Sequence, residues 1–167
     1  MDLRAEINYP THDPADAFAL VVDPVFRAEV CEAVHALDYD VSVDERGDGT
    51  ALVTIDRVMP ADVPDVIKKM VGETVTIVQT EDWGAPNESG ERTAELLIKI
   101  VGQPVTMKGT IELRNAAGFV VSSIHGDVKV AVPFFGKKVE PEIAKAILAA
   151  VASEQEAATA RLGSGSV

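Results

Sequence analysis

Apolar and polar residues alternate with period two over residues 2–9, with Leu3, Ala5, Ile7 and Tyr9 on one face and Asp2, Arg4, Glu6 and Asn8 on the other. That pattern predicts a half-buried strand, which Pro10 ends. Asp13-Pro14 and Asp23-Pro24 then give the same signal twice: a carboxylate suited to cap a helix, followed by a proline at its first position. Two short helices are predicted there, the first carrying Ala17, Phe18, Val21 and Val22. The second runs to about Ala36 with Val25, Phe26, Val30, Ala33 and Val34 at helical spacing. From Asp38 the period returns to two. Tyr39, Val41 and Val43 share a face, a loop follows at residues 45–49, and the next strand runs from Thr50 to Met59. A short helix is expected over 61–71, stopped by Gly72. Strands are expected over 74–83, 92–101, 105–114 and 119–132.

The last segment, from about Lys137 to Leu162, has a different period. Val139, Ile143, Ile147 and Val151 recur every four residues beside Ala144 and Leu148, one apolar stripe on a helix, while Glu142, Lys145, Glu154, Glu156 and Arg161 are read as lying largely off it. Roughly 24 helical residues reach about 36 Å, against an expected radius of gyration of about 15 Å, so the helix must lie along the whole body. The expected fold is therefore α+β: a curved seven-stranded antiparallel sheet wrapped around a long C-terminal helix, with two short helices after the first strand. The helix is rich in alanine. Small side chains facing a wide sheet leave volume unfilled, an argument that bears on Ala144 and Ala152 near the stripe. The remaining alanines answer equally to helix propensity.

Composition narrows the classes of function. The 167 residues carry 47% apolar residues and suit one domain, assigned to residues 1–162 with a flexible tail over 163–167. No apolar run is long enough to span a bilayer and no signal peptide is visible, so integral membrane association is not expected. The single cysteine, Cys31, fits a reducing compartment, and the cytoplasm is the expected location. A net charge of −12 repels phosphate backbones and anionic lipid headgroups, which argues against nucleic acid. A local basic patch is expected only around Lys68, Lys69, Lys137 and Lys138, too few to overturn the global sign. His12, His35 and His125 have no metal-ligand spacing, and neither a nucleophile elbow nor a phosphate loop occurs. No metal and no cofactor are expected.

The element order, the stretch DPADAFALVVDPVFRAEVCEAV and the ending VAVPFFGKKVEPEIAKAILAAVASE together resemble the START-like (SRPBCC) helix-grip superfamily, which includes polyketide cyclase-like proteins. Within it the chain is similar to an uncharacterised actinobacterial family of unknown function. The resemblance covers essentially the whole chain, through structural motifs: Asp23-Pro24 and the Pro-x-x-Gly-Lys junction at residues 133–137. It implies a hydrophobic cavity between the sheet and the C-terminal helix. Because one fold hosts many functions, it says little about cargo.

Candidate site residues follow from parity. Arg57 shares a face with Ile55 and Met59, and Gln79 and Glu81 share one with Ile77 and Trp83. Arg57 could thus meet Glu81 across adjacent strands, as a buried ion pair or a ligand-orienting site. Alternatively a bulge flips parity there and exposes all three, which Val58 and Val78 on the opposite parity favour. Tyr39, Met59, Trp83, Met107, Phe134 and Phe135 are the large side chains able to line a pocket or its mouth, with Ile143 and Ile147 contributing from the helix. Two adjacent phenylalanines cannot easily both point inward, so Phe134-Phe135 suggest a lid or entrance. The leading expectation is a non-catalytic protein that binds a hydrophobic or amphipathic small molecule, a lipid or polyketide-like compound. The rivals are a cyclase or dehydratase using Arg57, Glu81 or Tyr39, and a protein-interaction module, with self-association as a homodimer compatible with either.

Overall fold

The period-two segments all become strands, and the hairpin signals between them decide which strands are neighbours. In the computed structural model, which describes residues 1–163, the order is β1 (Asp2–Tyr9), α1 (Pro14–Val21), α2 (Pro24–Ala33), β2 (Asp38–Glu45), β3 (Ala51–Pro60), α3 (Asp65–Val71), β4 (Thr74–Trp83), β5 (Arg92–Ile100), β6 (Val105–Ala116), β7 (Phe119–Val130) and α4 (Gly136–Gly163). The seven strands form one antiparallel curved sheet in the order β1-β7-β6-β5-β4-β3-β2. The helix-grip architecture predicted from the sequence is therefore the observed one. Gly163, assigned above to a tail, is the last residue of α4, and the remainder of that tail lies outside the described residues.

Both Asp-Pro signals act as predicted. Asp13 accepts a hydrogen bond from the Ala15 amide and Asp23 one from the Val25 amide, each at 2.9 Å. Each satisfies a backbone donor that a helix start leaves orphaned. Helix α2 is shorter than expected, ending at Ala33, and His35 takes φ 62° as the chain turns toward β2.

Two of the strands approach each other closely where side chains are absent. Gly109 of β6 pairs with Gly126 of β7, and a Cβ on Gly109 would lie 2.2 Å from the His125 carbonyl oxygen. Only glycine permits that approach between neighbouring strands. Along the concave side, α4 packs across β1 and β7 and against α2.

The inner face of the sheet is not covered evenly. At one end, Ala51, Val53, Glu81, Trp83, Ala94 and Leu96 are each 5% exposed or less, beneath α1, α2 and the C-terminal half of α4. At the other, Arg57, Met59, Val75, Ile77, Gln79 and Ile98 sit on the same inward parity and stay half-buried. A second, smaller core at this end joins Ile67, Ile100, Val105, Val130 and Val139. The first end is a closed core; the second is a half-open apolar seam.

Candidate functional site: the seam and its polar border

Where the closed core meets the seam, a chain of buried polar groups crosses the inner face. Arg27 of α2 (2% exposed) and Glu81 of β4 (3%) form an ion pair with Nη2 and Oε1 2.5 Å apart. Trp83 donates its indole N–H to the other Glu81 oxygen at 3.0 Å, and Gln79 donates its amide N–H to Oε1 at 2.7 Å. The second Arg27 nitrogen lies 3.3 Å from Glu154 of α4, which also accepts a 3.4 Å hydrogen bond from the Tyr9 hydroxyl. Gln79 in turn accepts from Arg57 Nη2 at 3.2 Å. Among the described residues no buried side-chain nitrogen or oxygen lacks a partner. A buried ion pair survives desolvation only when its remaining lone pairs are satisfied in this way.

The electrostatics follow from burial and from who faces whom. Burial pulls the Arg27 guanidinium down, but Glu81 and then Glu154 more than reverse that, and its pKa ends above the ordinary arginine value. Burial pushes the Glu154 carboxyl up, with Arg27 opposing. Tyr9 is raised well above the ordinary phenol value by burial and by Glu154. Arg57 differs from Arg27: burial lowers its pKa, and it makes no ion pair among the described residues. Its recorded neighbours are Gln79 and the buried thiol of Cys31, which burial pushes up against the pull of Arg57. Arg57 is thus a partly desolvated cation that donates to a neutral amide.

Several sequence-derived expectations need correction. No bulge interrupts β3 or β4; the register is continuous from Ala51 opposite Trp83 to Pro60 opposite Thr74, so Glu81 points inward. The apolar residues of opposite parity, Val58 and Val78, are themselves only half-buried and do not mark the core face. Arg57 does not meet Glu81. It stands opposite Ile77, and Glu81 stands opposite Val53, so Gln79 bridges the gap. The partner of Glu81 is Arg27, absent from the candidates drawn from sequence. Arg27, Val30, Cys31 and Val34 are spaced i, i+3, i+4, i+7, whereas Val25, placed on the stripe above, is 62% exposed. Glu154, expected off the α4 stripe, lies seven residues after Ile147 and faces inward. Ala152 is exposed, so of the two alanines held to leave volume only Ala144 is buried.

The remaining candidates separate. Trp83 and Met107, each 1% exposed, belong to the closed core; Trp83 meets Phe18 edge-on with centroids 5.6 Å apart, and the Arg92 guanidinium lies over that Phe18 ring. Ile143 and Ile147 are half-buried along the seam, Ile143 touching both cores. Met59 is half-buried near the end of β3. Tyr39, beside Arg57 across β2–β3, donates its hydroxyl to Glu32 at 2.6 Å, away from Glu81. Tyr39, Arg57 and Glu81 therefore do not converge on one point. Phe134 is 98% exposed and Phe135 47%, so neither points inward. Two depressions among the described residues are open to solvent, and neither is lined by α4, on which the expected cavity was to rest. One of about 110 Å³ lies beside Tyr39, Arg57 and Asp56; another of about 480 Å³ lies near Arg46, Asp82, Thr93 and Thr110. The first is smaller than the roughly 300–1,000 Å³ typical of small-molecule pockets.

A grip of seven strands on one long helix is the START-like helix-grip fold, and solved structures agree. The chain is similar to the protein TTHA0849 from Thermus thermophilus (TM-score 0.61, 15% identity, 100% of each chain covered). It is likewise similar to a STAR-related lipid transfer protein from Xanthomonas axonopodis (TM-score 0.57, 14% identity, 95% of this chain and 84% of that one). A third is truncated norcoclaurine synthase from Thalictrum flavum (TM-score 0.54, 14% identity, 97% and 93%). At these identities the likeness establishes fold alone. Residues 4–162 match the family described as "Protein of unknown function (DUF2505)", and the chain belongs to it. Comparison with curated proteins gives no match.

Proposed function

We propose that this protein binds an amphipathic small molecule, a lipid or polyketide-like compound, along the seam between the N-terminal half of α4 and strands β3–β5. The observation that carries this reading is the uneven cover of the inner face. Ile77, Ile98, Ile143 and Ile147 stay half-buried, whereas Val53, Trp83, Ala94 and Leu96 further along the inner face are buried. Covering apolar area of that kind is worth about 25 cal/mol per Å². Arg57, unpaired by any carboxylate among the described residues and bounded by Gln79, is the group suited to orient the polar end of the ligand. The fold shared with a STAR-related lipid transfer protein is consistent with apolar cargo. Tyr39, Met59 and Phe135 belong to the rim on this reading, whereas Glu81, Trp83 and Met107 support it from the closed core.

Native mass spectrometry of protein purified from its source organism tests the proposal. A stoichiometric hydrophobic adduct is expected, lost when Ile147→Trp fills the seam and weakened about tenfold or more by Arg57→Met, which removes a charged hydrogen bond. Clean protein, together with methyl signals of Ile98 and Ile147 unmoved by a panel of lipids and fatty acids, would sink it.

A further inference from the structure

The end of the molecule that holds the seam also carries most of its exposed large apolar side chains. Phe134 (98% exposed), Val66 (61%), Val101 (58%), Met70 (49%) and Phe135 (47%) stand on three segments: the β7–α4 junction, α3 and the β5–β6 turn. These segments are held together by the second core, through Ile67 of α3, Ile100 of β5, Val132 of the junction and Val139 of α4. The junction is further tied to the turn by the Ala131 amide donating to the Pro104 carbonyl at 2.8 Å. Phe134 also takes φ 67°, the left-handed region that a bulky side chain seldom occupies. At 98% exposure its side chain gains no burial to offset this strain, so the folded state gives no reason for a phenylalanine there.

Charge at this end departs from the rest of the chain. Lys68, Lys69, Lys137 and Lys138 stand there with the carboxylates Asp62, Asp65, Glu73 and Glu140, so the end is close to neutral in a protein of net charge −12. Among the described residues only Lys68 of these four lysines forms an ion pair, with Glu73 at 3.5 Å. Lys137 and Lys138 follow one residue after the two phenylalanines and are exposed. Carboxylates at the far end of α4, a helix of 28 residues spanning about 42 Å, are separated from these lysines by several times the roughly 10 Å over which charges act at 0.1 M salt.

We propose that this end is a docking surface for an anionic lipid bilayer, with Phe134, Phe135 and Met70 entering the headgroup region and the lysines meeting lipid phosphates. Aromatic and flexible apolar side chains flanked by lysines are the chemistry that an interfacial anchor requires. The docking surface does not depend on what the seam holds, since membrane attachment and cargo are read separately.

Flotation with phosphatidylcholine vesicles, with and without phosphatidylglycerol, tests it. Association is expected only with the anionic vesicles and is weakened by salt. Each lysine removed is expected to weaken it about fivefold, so Lys137→Gln with Lys138→Gln lowers partitioning about 25-fold. Phe134→Ser with Phe135→Ser is expected to abolish association while leaving circular dichroism and melting unchanged, because neither side chain packs in the core. No association with anionic vesicles at low salt overturns the proposal, as does association indifferent to the phenylalanine pair. Sedimentation that shows a dimer lost in the phenylalanine variant would overturn it too, by assigning the surface to a second copy of the chain.

Discussion

The two halves of the concave face are built from the same strands by the same period-two rule, yet they end in different physical states. In the closed half, successive inward positions on β3, β4 and β5 meet α1, α2 and the C-terminal half of α4, and their side chains are almost wholly removed from water. Two rows further along, Arg57, Met59, Val75, Ile77 and Gln79 on the same parity stay only half-buried, beside the small core that α3 and the start of α4 build on Ile100. The division falls at the polar row. There an ion pair that would be costly alone is held by an indole, an amide, a phenol and a second carboxylate. Inward parity thus names a face, while burial depends on what lies above it.

The largest test of that contrast is Glu81→Leu. It leaves Arg27 buried beside only Glu154, and urea denaturation is expected to show a loss of about 3–5 kcal/mol. Replacing Arg27 and Glu81 together by Met and Leu should restore much of that loss, because the apolar pair strands no charge. Next in size is a matched pair of truncations. Leu113→Ala in the closed half, with a parent side chain 0% exposed, should cost about 2–5 kcal/mol. Ile77→Ala in the seam should cost clearly less, since much of its transfer energy was never gained. Equal losses at the two sites would erase the distinction between the halves.

A smaller effect belongs to pH. Burial raises the Glu154 carboxyl in the folded protein, so the folded state holds that proton more tightly than the unfolded chain. The contribution of Glu154 is therefore fully present below its unfolded pKa and is lost as pH rises through the folded one. Wild-type stability relative to Glu154→Gln should fall over that window. A difference that rises with pH, or stays flat, would contradict it. The smallest effect is at the surface: Phe134→Ala is expected to change stability by no more than about 0.5 kcal/mol in a thermal melt.

Much of the fold was legible because alternation and capping are local. Tyr39, Ile55 and Ile98 declare their face from their immediate neighbours, and Asp13 and Asp23 announce helix starts within two residues. The polar row was legible only in part. Glu81 could be placed on an inward parity, but its partner comes from α2, 54 residues away, and no local rule pairs them. The separation of Arg57 from Glu81 was out of reach, because register depends on hairpin loop lengths and not on parity. Glu154 was hidden by arithmetic: steps of four from Ile143 drift around a helix of 3.6 residues per turn, and a step of three restores the face. The alanines of α4 illustrate the opposite error, since exposed Ala146, Ala149, Ala152 and Ala160 reflect propensity where a cavity was sought.

The glycine at the start of α4 has a mechanical consequence. A Cβ on Gly136 would lie 2.1 Å from the Val130 carbonyl oxygen, so the helix is seated directly on the end of β7. Its far portion is clamped as well: Gln155 exchanges two 2.6 Å hydrogen bonds with the backbone of Asn8, and Arg161 reaches Asp23 and Glu29. Helix α4 is therefore a beam fixed at both supports, poorly suited to swing aside. Helix α3 is the opposite, seven residues long with one buried side chain, Ile67, and no side-chain cap at its start. If the seam widens, the hinge is α3, and a crosslink that pins α3 to β5 should shut the compartment without touching the beam.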